Sequence, residues 1–205
     1  MPKTGQIHIY TGDGKGKTTA ALGLALRALG QGLKVFIIQF MKGGAYTGEF
    51  ISAKNFLPHL EIEQFGRPCI KEQKQLKLKG FDPDNPLFDF IREDIDCGDC
   101  RYCFLNDEIQ KDYVEKAFQK AYEIINQGQH SLVILDEINL ALSYGFLETE
   151  RVIALLQNKP EHVEVVLTGR KAPQALMQIA NLVTEMKMHK HYFYEGVPAR
   201  RGIEY

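Results

Sequence analysis

Two stretches of this chain carry residue types whose order can bind and release a polyphosphate. The first is TGDGKGKTT at Thr11–Thr19, with Gly12, Asp13, Gly14, Lys15, Gly16, Lys17, Thr18 and Thr19 as candidate binding residues. Three alternating glycines let backbone N–H groups converge on an anion without side chains in the way, and a helix opening at Lys17 adds the positive end of its dipole. Lys17 reaches the outer phosphates as a point charge, and Thr18 offers its hydroxyl to a phosphate-bound magnesium ion. The loop is a variant of G-x-x-x-x-G-K-[ST]: Thr11 stands where the pattern asks for the first glycine. The second stretch is LVILDE at Leu132–Glu137, four apolar residues followed by the carboxylates Asp136 and Glu137. Acids at the end of a buried strand hold or orient magnesium opposite such a loop.

A third constellation, Cys97, Cys100 and Cys103, has C-x-x-C-x-x-C spacing. Thiolates so spaced fit a zinc ion or an iron–sulfur cluster, with Cys69 as a fourth ligand, and they equally fit plain reduced cysteines.

The elements that must position these groups follow from periodicity. Ile7–Tyr10 reads as a strand before the glycine loop. A helix from Lys17 to about Leu29 is apolar nearly all round apart from Arg27, which predicts burial against a sheet, and Gly30 and Gly32 end it. Val35–Phe40 is a continuous apolar strand of the kind buried in a parallel sheet, completing a βαβ unit. The glycine-broken segment Gln39–Phe50 then lies at a strand's carboxyl end, making Lys42 and Glu49 candidates to line the site. Leu60–Phe65 reads as a strand. From Gly66 to Asp96 the periodicity fades among Pro68, Pro83 and Pro86, so residues from about 66 to 106 read as an insertion or lid.

Asn106 or Asp107 caps a helix to about Gln127, with an apolar stripe of Ile109, Tyr113, Ala117, Phe118, Ala121, Tyr122 and Ile125, ended by Gly128. A buried strand, Ser131–Leu135, delivers Asp136 and Glu137. A helix over about Glu148–Asn158, a strand over Val163–Thr168 meeting Gly169 and Arg170, a helix over Ala172–Ala180 and a strand over Leu182–Met188 complete the pattern. Strands alternating with helices predict an α/β fold: a mostly parallel sheet flanked by helices, three-layered and P-loop NTPase-like, forming one domain over residues 1–205.

Composition narrows the classes. With 205 residues, 44% hydrophobic and 25% charged, the chain can bury one sizeable core. A net charge of −1 gives no basic field for nucleic acid. No apolar run reaches membrane-spanning length and MPKTGQIHIY lacks the apolar core of a signal peptide, so the expectation is a cytoplasmic protein without membrane or nucleic-acid partners.

The sequence resembles the ATP:corrinoid adenosyltransferases, also described as cob(I)yrinic acid a,c-diamide or cob(I)alamin adenosyltransferases. The resemblance rests on TGDGKGKTTAALGLALRALG at Thr11–Gly30, QFMKG with GE at Gln39–Glu49, VILDEINLAL at Val133–Leu142, LTGRKAP at Leu167–Pro173, LVTEMKMHKH at Leu182–His191 and GVPARRGIEY at Gly196–Tyr205. It implies that a cobalt(I) corrinoid attacks the 5′ carbon of ATP and triphosphate leaves, in cobalamin biosynthesis or salvage. It further implies that Gly12–Thr19 bind the phosphates with ATP reversed relative to ordinary P-loop enzymes, and that Lys17 stabilises the leaving group. Thr18 and Glu137 would hold magnesium with Asp136 beside it, and Arg170 and the tail would lie near the nucleotide or corrin. A homodimer and a flavoprotein reductant are family expectations.

The departure from the family is Gly66–Asp107, where shorter members place aromatics that help remove cobalt's lower axial ligand; Phe65, Phe88, Phe90 and Phe104 are the candidates here, each also explained as core. Two other functions fit the loop and the acids taken alone. A P-loop kinase or nucleotide hydrolase would yield ADP or orthophosphate, and a non-catalytic ATP-dependent corrinoid carrier would consume neither ligand.

Overall fold

The computed structural model of the chain describes residues 4–44, 47–67 and 105–205. Six strands, β1 (Ile7–Thr11), β2 (Val35–Phe40), β3 (Leu60–Phe65), β4 (Leu132–Asp136), β5 (Glu164–Thr168) and β6 (Leu182–Glu185), form one sheet in the order β3-β2-β4-β5-β1-β6. Every pairing is parallel. The order reverses between β1 and β2, which sit on opposite sides of β4 and β5, so the carboxyl ends of β1 and β4 flank the crevice where open α/β sheets bind ligands.

The central strands β2, β4 and β5 bury both faces, and period-two alternation sorts the strands' side chains into two cores. Ile7, Ile9, Phe36, Ile38, Phe40, Val133, Leu135, Val165 and Leu167 pack on one side with α3 (Glu108–Gln127), α4 (Ile138–Ser143), α5 (Thr149–Gln157) and α6 (Gln174–Ile179). Val35, Ile37, Leu60, Ile62, Leu132, Ile134 and Val166 pack on the other with α1 (Lys17–Gly30) and α2 (Gly48–Phe56). This is the expected three-layer α/β arrangement.

The helices differ from expectation in instructive ways. Although α1 is apolar around most of its circumference, only Lys17, Ala21 and Ala25 are buried, and Leu26 is 62% exposed. Spacing of four keeps those three on one face, and alanine at two of them lets the helix axis come close to the strands. In α3 the buried stripe is Gln110, Val114, Ala117, Phe118, Ala121, Ile124 and Ile125, while Ile109 and Tyr122 are more than half exposed. The buried stripe keeps Ala117, Phe118, Ala121 and Ile125 and the same central direction but is narrower, with Gln110, Val114 and Ile124 in place of Ile109, Tyr113 and Tyr122, and Asp107 caps the helix by accepting from the Gln110 N–H. Gly128 closes it in the left-handed conformation. Two short helices went unread: α2, which begins at the end of the glycine-broken segment, and α4, directly after the acidic pair. The last strand is shorter than its apolar run and exposed throughout. No helix among the described residues is long and apolar enough to cross a membrane. Cys69, Cys97, Cys100 and Cys103, and with them Phe88, Phe90, Phe104 and most of the expected insertion, lie outside the described residues.

Candidate active site

The carboxyl ends of the parallel strands carry the chain's only three non-glycine residues with positive φ among the described residues: Met41 after β2, Glu137 after β4 and Lys171 after β5, at 60°, 63° and 56°. Left-handed backbone is costly for side-chain-bearing residues and persists only where the surroundings impose it. Each of these turns aims a neighbouring group, Lys42, Glu137 itself or Arg170, toward one cleft of about 750 Å³. The cleft is lined by loop residues Asp13–Thr19, by Lys42, Glu49, Glu137 and Arg170, and by the tail. The candidates named from sequence therefore converge on its lining, apart from the cysteines, Gly12 and the fully buried Asp136.

The loop leaves β1 at Thr11, whose hydroxyl accepts from the Ala172 N–H at 3.2 Å. Gly12 and Gly16 have φ of 95° and 115°, a requirement for glycine that is separate from anion binding. Backbone from the end of β6 also presses on this loop: a Cβ on Gly12 or Gly14 would lie 2.4 or 2.7 Å from the Met186 carbonyl oxygen. The Gly14 N–H donates to that same oxygen at 2.7 Å, so it is not one of the amides directed into the cleft. Sequence reasoning ascribed all three glycines to the anion; two of them are needed equally for the approach of β6.

Lys17 is 7% exposed and folds back over the loop, donating at 2.8 Å to the carbonyls of Gly12 and Gly14. Burial, reinforced by the charge of Arg170, lowers its pKa against the pull of Glu137.

Asp136 is fully buried at the end of β4 and its four acceptor positions are matched by four donors. Oδ1 accepts from the Thr18 and Thr168 hydroxyls at 2.8 and 2.6 Å; Oδ2 accepts from Lys42 Nζ at 2.8 Å and Gln39 Nε2 at 3.0 Å. Burial disfavours its charge, but the Lys42 ammonium and these hydrogen bonds outweigh burial and hold the carboxyl below its usual range. Because Thr18 spends its proton on Asp136, the lone pairs of its oxygen are left for a cation.

Glu137 is the opposite case. Its N–H donates to Thr168 Oγ1 at 3.0 Å, while its carboxylate accepts no hydrogen bond among the described residues and borders the cleft. Burial first, then the neighbouring Asp136 charge, raise its pKa. The pair thus has one saturated carboxylate and one with open oxygens beside the Thr18 hydroxyl, hard oxygen donors that fit magnesium bound together with phosphate. Among the described residues there is no cluster of three or more His, Cys, Asp or Glu that could hold a metal without such a ligand.

Gln39 and Gln64 were missed as site residues because amides inside an apolar strand carry no motif. Gln39 donates to both Asp136 and Glu49 and accepts from Gln64, forming the floor under Lys42. On the far rim, Lys15 Nζ donates to the Ile203 carbonyl at 3.1 Å and lies 3.9 Å from Glu204, tying the tail to the loop.

The family profile of the ATP:corrinoid adenosyltransferases BtuR/CobO/CobP matches residues 3–109 and 84–205. The chain belongs to this family. A corrinoid adenosyltransferase of Pseudomonas aeruginosa is 32% identical over 201 residues, 98% of this chain and 84% of that one. One of a Sinorhizobium species is 35% identical over 202 residues, 98% of this chain and 80% of the relative. The corrinoid adenosyltransferase CobA of Salmonella typhimurium is 31% identical over 201 residues, covering 98% and 86%. Similarity to these adenosyltransferases spans the cleft and both of its walls rather than the glycine loop alone.

Proposed function

We propose that this protein transfers the 5′-deoxyadenosyl group of ATP to the cobalt(I) of a corrinoid and releases triphosphate. The observation that supports this best is the convergence of Lys17, Thr18, Glu137 and Arg170 on one cleft, in a chain that belongs to the adenosyltransferase family. Reduced cobalt brings its own electron pair to carbon, so the reaction needs no general base. What lowers its barrier is alignment of the 5′ carbon with cobalt and neutralisation of the charge that gathers on the departing triphosphate.

In this reading the loop amides and the N-terminus of α1 hold the phosphates. Lys17 moves from the carbonyls of Gly12 and Gly14 to the leaving group, where a charge-assisted hydrogen bond contributes about 1.5–3 kcal/mol. Thr18 and Glu137 hold magnesium, and Asp136 fixes the Thr18 hydroxyl rather than binding the ion. Magnesium, when bound, neutralises developing charge on phosphate oxygens and orients the chain of phosphates. Arg170, carried on the strained turn after β5, faces the same charge. A homodimer, a flavoprotein electron donor, a cytoplasmic location, a lid formed by residues from about 66 to 106, and a zinc or iron–sulfur role for Cys97, Cys100 and Cys103 belong to the same proposal and rest on the family likeness or the spacing.

The test mixes the protein, magnesium–ATP and chemically reduced cobalamin in dim light. The expected result is the light-sensitive spectrum of an alkylcobalt product together with intact triphosphate in equal amount. ADP or orthophosphate without alkylated cobalt would transfer the proposal to a kinase or hydrolase, and binding of both ligands without turnover to a carrier.

A further inference from the structure

Lys42 has no place in the phosphate-loop motif, yet the fold goes to some length to present it. It follows Met41, fully buried and held at φ 60°, and the chain just beyond is pinned by close approach: a Cβ on Gly43 would lie 2.3 Å from the Gly66 carbonyl oxygen. The Lys42 side chain, 20% exposed, places Nζ 2.8 Å from Asp136 Oδ2 and 3.5 Å from Glu49 Oε1, at the border of the cleft that holds Lys17, Thr18 and Glu137. An ammonium has three N–H donors in a fixed tripod. Two are directed at these carboxylates, and the third has no partner among the described residues.

Charge balance gives that third donor a purpose. Three carboxylates, Asp136, Glu137 and Glu49, and three cations, Lys17, Arg170 and Lys42, surround the place where a polyanion would lie. Without Lys42 the β2–β4 side of the cleft would present Asp136 and Glu49 to the phosphates with only the neutral Gln39 between them. We propose that Lys42 is a further leaving-group residue, donating its free N–H to the magnesium-bound end of the triphosphate while Asp136 and Glu49 keep its tether fixed. This inference rests on the triphosphate reading of the cleft and adds a contact from the turn after β2 to those of Lys17 and the loop.

Calorimetric titration with inorganic tripolyphosphate and magnesium tests the contact without any turnover. The parent protein should bind; if it does not, the triphosphate reading fails and this inference with it. Given that it binds, Lys42→Gln should weaken affinity by tenfold or more, the worth of one charge-assisted hydrogen bond. Lys42→Arg, which keeps the charge, should stay within about threefold of the parent, and it carries the test should Lys42→Gln not fold. The control is Gln39→Met, which removes another donor from the same Asp136 oxygen without removing charge. Its loss should be well below that of Lys42→Gln. Unchanged tripolyphosphate affinity in Lys42→Gln, a tenfold loss in Lys42→Arg, or an equal loss in Gln39→Met would each overturn the proposal, the last by showing that Lys42 merely holds Asp136.

Discussion

The molecule contains two carboxylate–cation pairs that look alike in sequence and behave differently in place. Asp136 and Lys42 meet at 2.8 Å at the end of the central strands, with the carboxylate fully buried. Glu115 and Arg151 meet at 2.7 Å between α3 and α5, with side chains 41% and 37% exposed. Water cannot replace a lost partner in the first pair and readily does so in the second. Burial rather than contact distance therefore decides which pair holds the structure, and the cleft is built on the buried kind.

The comparison is most directly broken at Asp136. Asp136→Ala strips Lys42 of its closest counter-ion, frees two hydroxyls and an amide, and leaves them inside the fold. Removal of one partner from a buried pair costs about 3–5 kcal/mol, so the midpoint of chemical denaturation should fall sharply, with little change in slope. A loss below about 1 kcal/mol would mean that water already reaches this carboxylate.

Lys17 sharpens the contrast, since it is buried beside carbonyls rather than a carboxylate. Lys17→Ala leaves only carbonyl oxygens that water in the cleft can satisfy, and the fold should barely notice. The chemistry should: about 3 kcal/mol of transition-state stabilisation, on the order of a hundredfold in rate, is expected to disappear. Steady-state adenosylation beside thermal melting separates the two. A variant that turns over at the parent rate would remove Lys17 from the mechanism.

These sites differ also in how legible they were. The loop and the acidic pair could be read directly because each is short, contiguous and tied to a strand end, whereas Arg170 entered only through the family resemblance; the alternation of apolar strands with capped helices carried the layered sheet. The support of Asp136 could not be read that way. Thr168 reaches it from β5, and Gln39 and Lys42 from β2 and the turn after it, all distant in sequence, and no local pattern marks an amide in β2 as the neighbour of an acid in β4. The α3 stripe reads too wide because apolar residues outnumber the buried positions: Ile109 and Tyr122, at its two edges, are more than half exposed, while the polar Gln110 lies inside it. Gly12 and Gly14 were recognised, but half the reason for them is Met186, more than 170 residues downstream by sequence number.

The exposed pair should yield the smallest effect, and pH gives its sign. Arg151 donates to both Glu115 oxygens, at 2.8 and 2.7 Å, and its guanidinium lies 4.7 Å from the Phe118 ring centroid. The hydrogen bonds from Arg151, against some burial and with help from Gln119, lower the Glu115 pKa from 4.5 to about 2. A depressed carboxylate contributes stability that is full above its unfolded value and lost as the pH falls toward its folded one. The difference in stability between the parent and Arg151→Gln should therefore be constant above about pH 5 and vanish between 4.5 and about 2. Solvent screening at two side chains more than a third exposed limits it to about 0.5–1 kcal/mol, a shift of roughly 1–4 °C in a chain of this length. Melting curves at stepped pH measure it. A difference of several kcal/mol at neutral pH would show that this pair is shielded from water after all, and would erase the distinction between the helix surface and the strand ends.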